Sequence, residues 1–98
     1  MKRWAFHPEA RAEYLSAIAY YDDAGIGLGS AFARDVEGAI DLILSYPAAW
    51  PSMGGLVRRC TLGRFPYGVI YVEHEDNIVI LALAHAKRAP GYWRSRLK

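Results

Sequence analysis

The second half of the chain carries the hydrophobic pattern of three short strands. Apolar runs rich in Val, Ile and Tyr occupy residues 56–62, 67–74 and 78–84, and turn residues separate them. Consecutive runs of this kind predict three antiparallel strands. The last run contains no polar residue, whereas a strand with one face in water alternates between apolar and polar positions. We therefore expect this strand to be central and covered on both faces.

The first half of the chain predicts a short strand followed by two helices. The strand covers residues 2–7, and Pro8 and Glu9 after it are typical of a helix N-terminus. A Gly-rich stretch ends the first helix, Ser30 or a neighbour begins the second, and Pro47 closes it. The apolar residues at helical spacing are Ala10, Tyr14, Ala17, Ile18 and Tyr21, then Phe32, Val36, Ala39, Ile40 and Ile43.

The predicted elements fit one α+β domain. The connection between the helices is short, so they form an antiparallel hairpin whose apolar stripe needs the sheet as its partner. The fold class is therefore a two-layer α+β fold with the order β-α-α-β-β-β, in which the helical hairpin packs on an antiparallel sheet. Residues 1–98 form a single domain. His7, just before the first helix, is expected to cap it or to end the strand.

The composition is that of an ordinary globular protein, with 53% hydrophobic and 22% charged residues among 98. Cys60 is the single cysteine, so neither an internal disulfide nor a cysteine-based metal site is possible, which fits a reducing cytoplasm. The N-terminus lacks the apolar stretch of a signal peptide, and no run reaches membrane-spanning length. We expect a cytoplasmic protein with no cofactor, no metal site and no membrane contact.

Basic residues gather in the second half of the chain. Residues 1–49 hold four basic and seven acidic residues, whereas residues 50–98 hold eight basic and three acidic ones. Nothing acidic follows Asp76. This distribution fits an anionic partner, either nucleic acid or an acidic protein. The alternative is that the basic residues flank the sheet for solubility, and charge alone does not separate the two interpretations.

Short motifs in a fixed order run through nearly the whole chain. They are Phe6-His7-Pro8-Glu9-Ala10, Ala19-Tyr20-Tyr21, Leu28-Gly29, Tyr46-Pro47, Arg58-Arg59, Phe65-Pro66-Tyr67, Ile70-Tyr71, and Ala84-His85 followed by Arg88, Pro90, Tyr92-Trp93 and Arg96. Together with the element order, this set resembles the RelE/ParE superfamily of toxins from bacterial type II toxin–antitoxin modules, which includes plasmid stabilisation proteins. Members of this superfamily differ in their targets.

The resemblance implies a growth inhibitor with one of two activities. RelE-like members cleave messenger RNA, usually on the ribosome, whereas ParE-like members inhibit DNA gyrase and lack the nuclease residues. Both kinds are neutralised by a small antitoxin whose C-terminal segment wraps around the toxin. A cognate antitoxin is therefore the expected partner, in a toxin–antitoxin hetero-oligomer.

The nuclease pattern of the superfamily transfers to this sequence only in part. Arg59 matches a basic position on the second strand of the nucleases, and Arg88 matches the arginine after their last strand. Thr61 stands where nucleases often carry a lysine, and Gly68 stands where the better nucleases carry an arginine. The departure at Gly68 favours a ParE-like gyrase inhibitor. The alternatives are a RelE-like endoribonuclease and a module that has lost its activity and only binds its antitoxin.

His85 is the candidate for proton transfer if the chain is an enzyme. Cleavage through the 2′-hydroxyl, which needs no metal, requires a base, an acid and a cation near phosphorus. Histidine is the side chain that changes charge near neutral pH. The structural alternative is that His85 caps the last strand by hydrogen bonding. The predicted catalytic residues, which apply only to a nuclease, are His85, Arg88, Arg59 and Tyr92.

Two further groups of residues are predicted to bind partners. The tyrosines expected to line an antitoxin groove between helices and sheet are Tyr14, Tyr20 and Tyr67. The structural alternative for Trp93 is that it packs the C-terminal part of the chain onto the core. The residues predicted to contact the target or nucleic acid are Arg64, Lys87, Arg88, Trp93, Arg94 and Arg96.

Overall fold

The computed structural model describes residues 3–97 and contains a four-stranded sheet with two helices packed on it. The predicted element order β-α-α-β-β-β and the α+β class are confirmed. Lys2, where the first strand was predicted to begin, and Lys98, the last basic residue, lie outside the described residues. The elements are β1 Arg3–Phe6, α1 Pro8–Ala24, α2 Leu28–Ser45, β2 Val57–Thr61, β3 Tyr67–His74 and β4 Asn77–His85, followed by a short 3-10 turn at Arg94–Arg96.

The sheet is mixed, which corrects the prediction of an antiparallel sheet. The strand order is β1-β4-β3-β2, and the pairs β2–β3 and β3–β4 are antiparallel as predicted. β1 pairs with β4 in parallel, with Arg3 opposite Asn77 and Phe6 opposite Ile80. Because β1 is separated from β4 by the helices and two strands, no hairpin turn sets its direction. The hydrophobic pattern of β1 is the same for either orientation.

The central position of β4 is confirmed, and both of its faces are covered. On one face Ile78, Ile80 and Leu83 join the core beneath the helices. On the opposite face, here called the outer face, Leu81, Ala82 and Ala84 pack with Trp93 from the C-terminal segment, residues 86–97. The continuous apolar run of β4 therefore reflects two layers of cover.

Local signals in the sequence set the boundaries of both helices. Pro8 occupies the first turn of α1, and His7 Nδ1 accepts a hydrogen bond from the Glu9 N–H at 3.1 Å, so the predicted cap is confirmed. α2 begins at Leu28, slightly before the predicted Ser30. Gly27 precedes it with φ of 78°, a left-handed conformation that glycine adopts without steric cost.

The two helices approach each other closely because Gly29 has no side chain. The Gly29 N–H donates to Asp22 Oδ1 at 3.1 Å, which joins the start of α2 to the end of α1. A Cβ on Gly29 would lie 2.7 Å from the Ile18 carbonyl oxygen and would also overlap the Asp22 carboxylate. The helical hairpin therefore depends on glycine at this position.

We predict that Gly29→Ala destabilises the fold by roughly 1–3 kcal/mol, because the added methyl group meets backbone that cannot move freely. The matched control is Gly38→Ala, also in α2, where an added Cβ meets nothing within 4 Å. This control should gain about 0.5–1 kcal/mol from helix propensity. Urea denaturation of the two variants measures both changes. Equal effects in the two variants would contradict the close helix contact.

Candidate functional site

The last part of β4 lacks a strand on one side. β1 ends at Phe6 opposite Ile80, whereas β4 continues to His85. Within residues 3–97, no strand pairs with this edge of β4 beyond Ile80. Backbone N–H and C=O groups along such an edge need other partners when they are buried.

An ion pair between Glu13 of α1 and Arg96 supplies these partners. The Leu83 N–H donates to Glu13 Oε1 at 3.1 Å, and Arg96 Nη1 donates to the Leu81 carbonyl at 2.9 Å. Arg96 also binds both Glu13 carboxylate oxygens, each at 3.0 Å. The Arg96 and Glu13 side chains are only 7% and 17% exposed. The pair thus takes the place of a missing strand along this edge.

Tyr92 is tied to the same carboxylate. Its hydroxyl donates to Glu13 Oε2 at 2.8 Å, and its ring lies 3.7 Å from the Arg88 guanidinium carbon. Burial, followed by the hydrogen bond to Glu13, raises the pKa of Tyr92 to about 12. The hydrogen bond to Glu13 also raises the pKa of Arg96. Glu13 therefore fixes the C-terminal segment against α1 and the end of β4.

Two residues predicted to contact the target lie inside the protein. The structure places Trp93 against the outer face at 2% exposure, which is the structural alternative considered for it. Arg96 is enclosed by its contacts with Glu13 and Leu81. Neither side chain offers a surface to a target in this conformation. Glu13 was not among the residues predicted for the site. Because no acidic residue follows Asp76, the partner of a buried basic residue in the C-terminal segment had to come from an earlier part of the chain.

The helix-side pocket lies between α1 and the end of the sheet, with a volume of about 330 Å³. It brings together two of the three tyrosines predicted for an antitoxin groove, Tyr20 and Tyr67. Tyr14 lies elsewhere, with its ring stacked on Phe6 at 5.2 Å. The residues that line the pocket are Glu13, Ser16, Ala17, Tyr20, Tyr67, Leu83, His85 and Arg88.

The outer pocket lies between the outer face and the C-terminal segment, with a volume of about 280 Å³. It brings together all four residues predicted for a nuclease, which are Arg59, His85, Arg88 and Tyr92. Within residues 3–97, no carboxylate side chain lines it. The other lining residues are Met53, Ile70, Ala84, Ala86, Ala89, Pro90, Gly91 and Trp93.

Arg58 and Arg59 are neighbours on β2, and their side chains lie on opposite faces of the sheet, as strand geometry requires. Arg58 Nη1 donates to the Trp50 carbonyl at 2.6 Å on the helix side. Arg59 lies over Gly68 on the outer face, where a Cβ at position 68 would be 2.5 Å from Arg59 Nε and 2.7 Å from Nη2. The Arg59 guanidinium thus fills the space that a side chain at position 68 would need.

His85 is held in place by two contacts. Its Nδ1 accepts a hydrogen bond from the Lys87 N–H at 3.0 Å, so the structural alternative of a strand-end cap is observed. Its ring meets that of Tyr67 edge-on, with the centroids 5.1 Å apart. The cap leaves Nε2 as the nitrogen that is not engaged by Lys87. The catalytic prediction for His85 stays a prediction.

The remaining predicted contact residues lie at the surface. Arg64, Lys87, Arg88 and Arg94 are exposed. Arg64 lies near Phe65, and Arg94 lies 5.0 Å from the Trp93 ring. Among residues 3–97 there is no group of three metal-ligating side chains. No helix in the same range is long and apolar enough to cross a membrane.

Comparison with known proteins finds a matching family and similar solved structures. The model of the family described as "ParE toxin of type II toxin-antitoxin system, parDE" matches residues 5–90. The solved structure titled "Chromosomal ParDE TA system from P. aeruginosa" matches with a TM-score of 0.62 and 20% sequence identity. That match covers 87% of this chain and 96% of the other, and at this identity it shows the fold alone. No curated protein matches the sequence.

We predict that Arg96→Met costs about 3 kcal/mol of stability, because it leaves the buried Glu13 carboxylate without its cation and the Leu81 carbonyl without its donor. Glu13→Met should cost a similar amount, whereas the double variant should cost clearly less than the sum of the two. Arg94→Met, at an exposed neighbouring arginine, is the control and should change stability by less than about 0.5 kcal/mol. Urea denaturation of all four variants tests this. Additive losses from the two partners would show that the pair is not coupled.

Proposed function

The chain belongs to the ParE toxin family of type II toxin–antitoxin systems, and on this premise we propose that it inhibits growth by binding DNA gyrase. The observation that carries the proposal is the family match over residues 5–90, which contains both helices and all four strands except the first residues of β1. In this proposal the toxin acts in the cytoplasm as a binding protein. Its partner is a cognate antitoxin, and the two form a hetero-oligomer.

The outer pocket supports binding over RNA cleavage. A nuclease needs a proton donor, a proton acceptor and a cation near the scissile phosphate. Among residues 3–97, His85 is the one histidine that lines this pocket, and no carboxylate side chain lines it to assist proton transfer. Gly68 replaces the arginine expected of the better nucleases, and Arg59 covers that position. The pocket can hold an anion but has few groups for proton transfer.

The exposed cations of the loop between β2 and β3 and of the C-terminal segment give the proposed target surface. Arg64, Lys87, Arg88 and Arg94 remain exposed, while Arg96 is paired with Glu13. Positive charge presented on a fixed segment accelerates encounter with an acidic partner and makes association sensitive to salt. The C-terminal segment is fixed because Glu13 holds it, so the surface requires little ordering on binding.

The antitoxin is proposed to bind along α1 and into the helix-side pocket. α1 buries the small residues Ala10 and Ala17, yet it leaves Leu15 46% exposed. Tyr20, on the same helix, is also exposed and lines the pocket. A helix whose outer surface faced only water would carry polar residues there. An amphipathic antitoxin segment would cover this apolar surface.

A second candidate function is RNA cleavage, because the outer pocket gathers all four residues of the predicted nuclease set. Two assays on the purified protein separate the candidates, namely gyrase supercoiling and mRNA cleavage in a translating extract. We predict inhibited supercoiling with intact message. We also predict that His85→Ala retains inhibition within about twofold, since binding needs no proton transfer.

Arg88→Ala provides the comparison in the same assays, because it removes an exposed charge from the proposed target surface. It should weaken supercoiling inhibition roughly tenfold, in line with the loss of one charged contact. Cleaved message with unaffected gyrase, abolished by His85→Ala in a folded protein, would establish the nuclease instead. Activity in neither assay would favour the toxin that has lost its activity.

A separate prediction concerns the surface of α1 that is proposed to bind the antitoxin. Leu15→Lys should weaken antitoxin binding at least roughly tenfold, because it removes a buried leucine contact from the interface. The control is Leu42→Lys on α2, where the leucine is equally exposed, at 47%. Isothermal titration with the cognate antitoxin measures both affinities. If Leu42→Lys weakened binding and Leu15→Lys did not, the interface would lie on α2.

A further inference from the structure

Arg59 occupies an unusual place on the outer face. It lies in β2 opposite Ile70, and its guanidinium projects over Gly68 of β3. Within residues 3–97, no carboxylate pairs with this guanidinium and no carbonyl accepts from it. The residue is nevertheless half-buried. A partly buried charge without a partner costs free energy, and an anion that enters the pocket recovers it.

A second arginine, Arg88, lines the outer pocket together with Arg59. Arg88 stacks on the Tyr92 ring, which limits where its guanidinium can lie. His85 also lines the pocket. Because no carboxylate side chain of the described residues lines the pocket, none of them neutralises these groups.

The floor of the pocket is apolar. Ile70, Ala84 and Trp93 form it, next to the arginines. A ligand that fits this arrangement has a short apolar stem and an oxyanion at its end. A carboxylate matches the planar fork of a guanidinium and accepts two parallel hydrogen bonds from it. The side chains of glutamate and aspartate have this form.

We propose that the outer pocket binds the side-chain carboxylate of an acidic segment of the protein target. A nucleic-acid backbone requires a series of phosphate contacts along a positively charged track. Among the described residues, Arg58 and Arg96 cannot extend such a track from this pocket, since Arg58 is bound to the Trp50 carbonyl and Arg96 to Glu13. The two arginines that line the pocket, Arg59 and Arg88, suit a single anionic side chain.

Gly68 is the specificity-determining position of this pocket. Any larger residue would displace the Arg59 guanidinium from its place over the sheet. The proposal rests on the proposed function in one respect, because it takes the target to be a protein. Binding of the carboxylate itself is measured without gyrase, so the two proposals can fail separately.

The test is an NMR titration of the ¹⁵N-labelled protein with the peptide Ac-Gly-Glu-Gly-amide. We expect saturable shifts in the Gly68 and Ala84 amides and in the Arg59 Nε–H group. The neutral peptide Ac-Gly-Gln-Gly-amide should leave these signals unchanged. Inorganic phosphate is the third probe, and it should bind more weakly than the glutamate peptide.

Gly68→Ala should weaken binding of the glutamate peptide roughly tenfold, because it moves one of two charged hydrogen-bond donors. Gly63→Ala is the matched control, since a Cβ there meets nothing within 4 Å. Arg59→Gln keeps Gly68 and should lose binding to the same extent. It therefore tests the site even if Gly68→Ala folds poorly.

Several results would overturn the proposal. The first is the absence of shifts with the glutamate peptide. The second is an affinity of the Arg59→Gln variant for this peptide that equals the affinity of the unsubstituted protein. The third is tighter binding of phosphate than of the peptide at the same residues. Supercoiling assays then separate the two proposals. Peptide binding without gyrase inhibition would reject the proposed target while leaving the carboxylate site in place. Gyrase inhibition that is unchanged in both Gly68→Ala and Arg59→Gln would reject the role of the pocket in target binding.

Discussion

The ion pair between Glu13 and Arg96 is the interaction on which the functional end of this protein depends. One carboxylate accepts from the Leu83 N–H, from the Tyr92 hydroxyl and from two Arg96 nitrogens. It thereby joins α1, the part of β4 that extends beyond its pairing with β1, and the C-terminal segment. A buried pair of this kind adds little net stability compared with an apolar contact, but its geometry is exacting. Its main effect is to set where the segment lies.

The position of the C-terminal segment creates both pockets. On the outer face, the segment forms one side of the outer pocket, and Arg59, which lies over Gly68, forms the other side. On the helix side, its residue Arg88 also lines the pocket along α1. His85 and Arg88 belong to both pockets, so two partners cannot use these side chains independently. The proposed antitoxin and target surfaces therefore meet at the end of β4.

Patterns with a local cause were predictable from the sequence. The helix cap at His7, the burial of β4 and the opposite directions of Arg58 and Arg59 follow from spacing and strand geometry. The parallel pairing of β1 was not predictable in this way, because its partner strand begins at Asn77, far along the chain. The pairing of Glu13 with Arg96 was missed for the same reason. Contacts between distant segments leave no periodic signal.

Arg94 and Arg96 show which property of the site the sequence alone could not predict, namely which arginine is buried and which is exposed. The same residue type recurs two positions apart in the same basic segment, and the prediction treated both as target contacts. Arg94 is exposed beside Trp93, whereas Arg96 lies inside the protein because the edge of β4 needs a donor at Leu81. That need arises only because β1 stops at Phe6. The length of one edge strand thus decides which arginine is structural and which remains available to a partner.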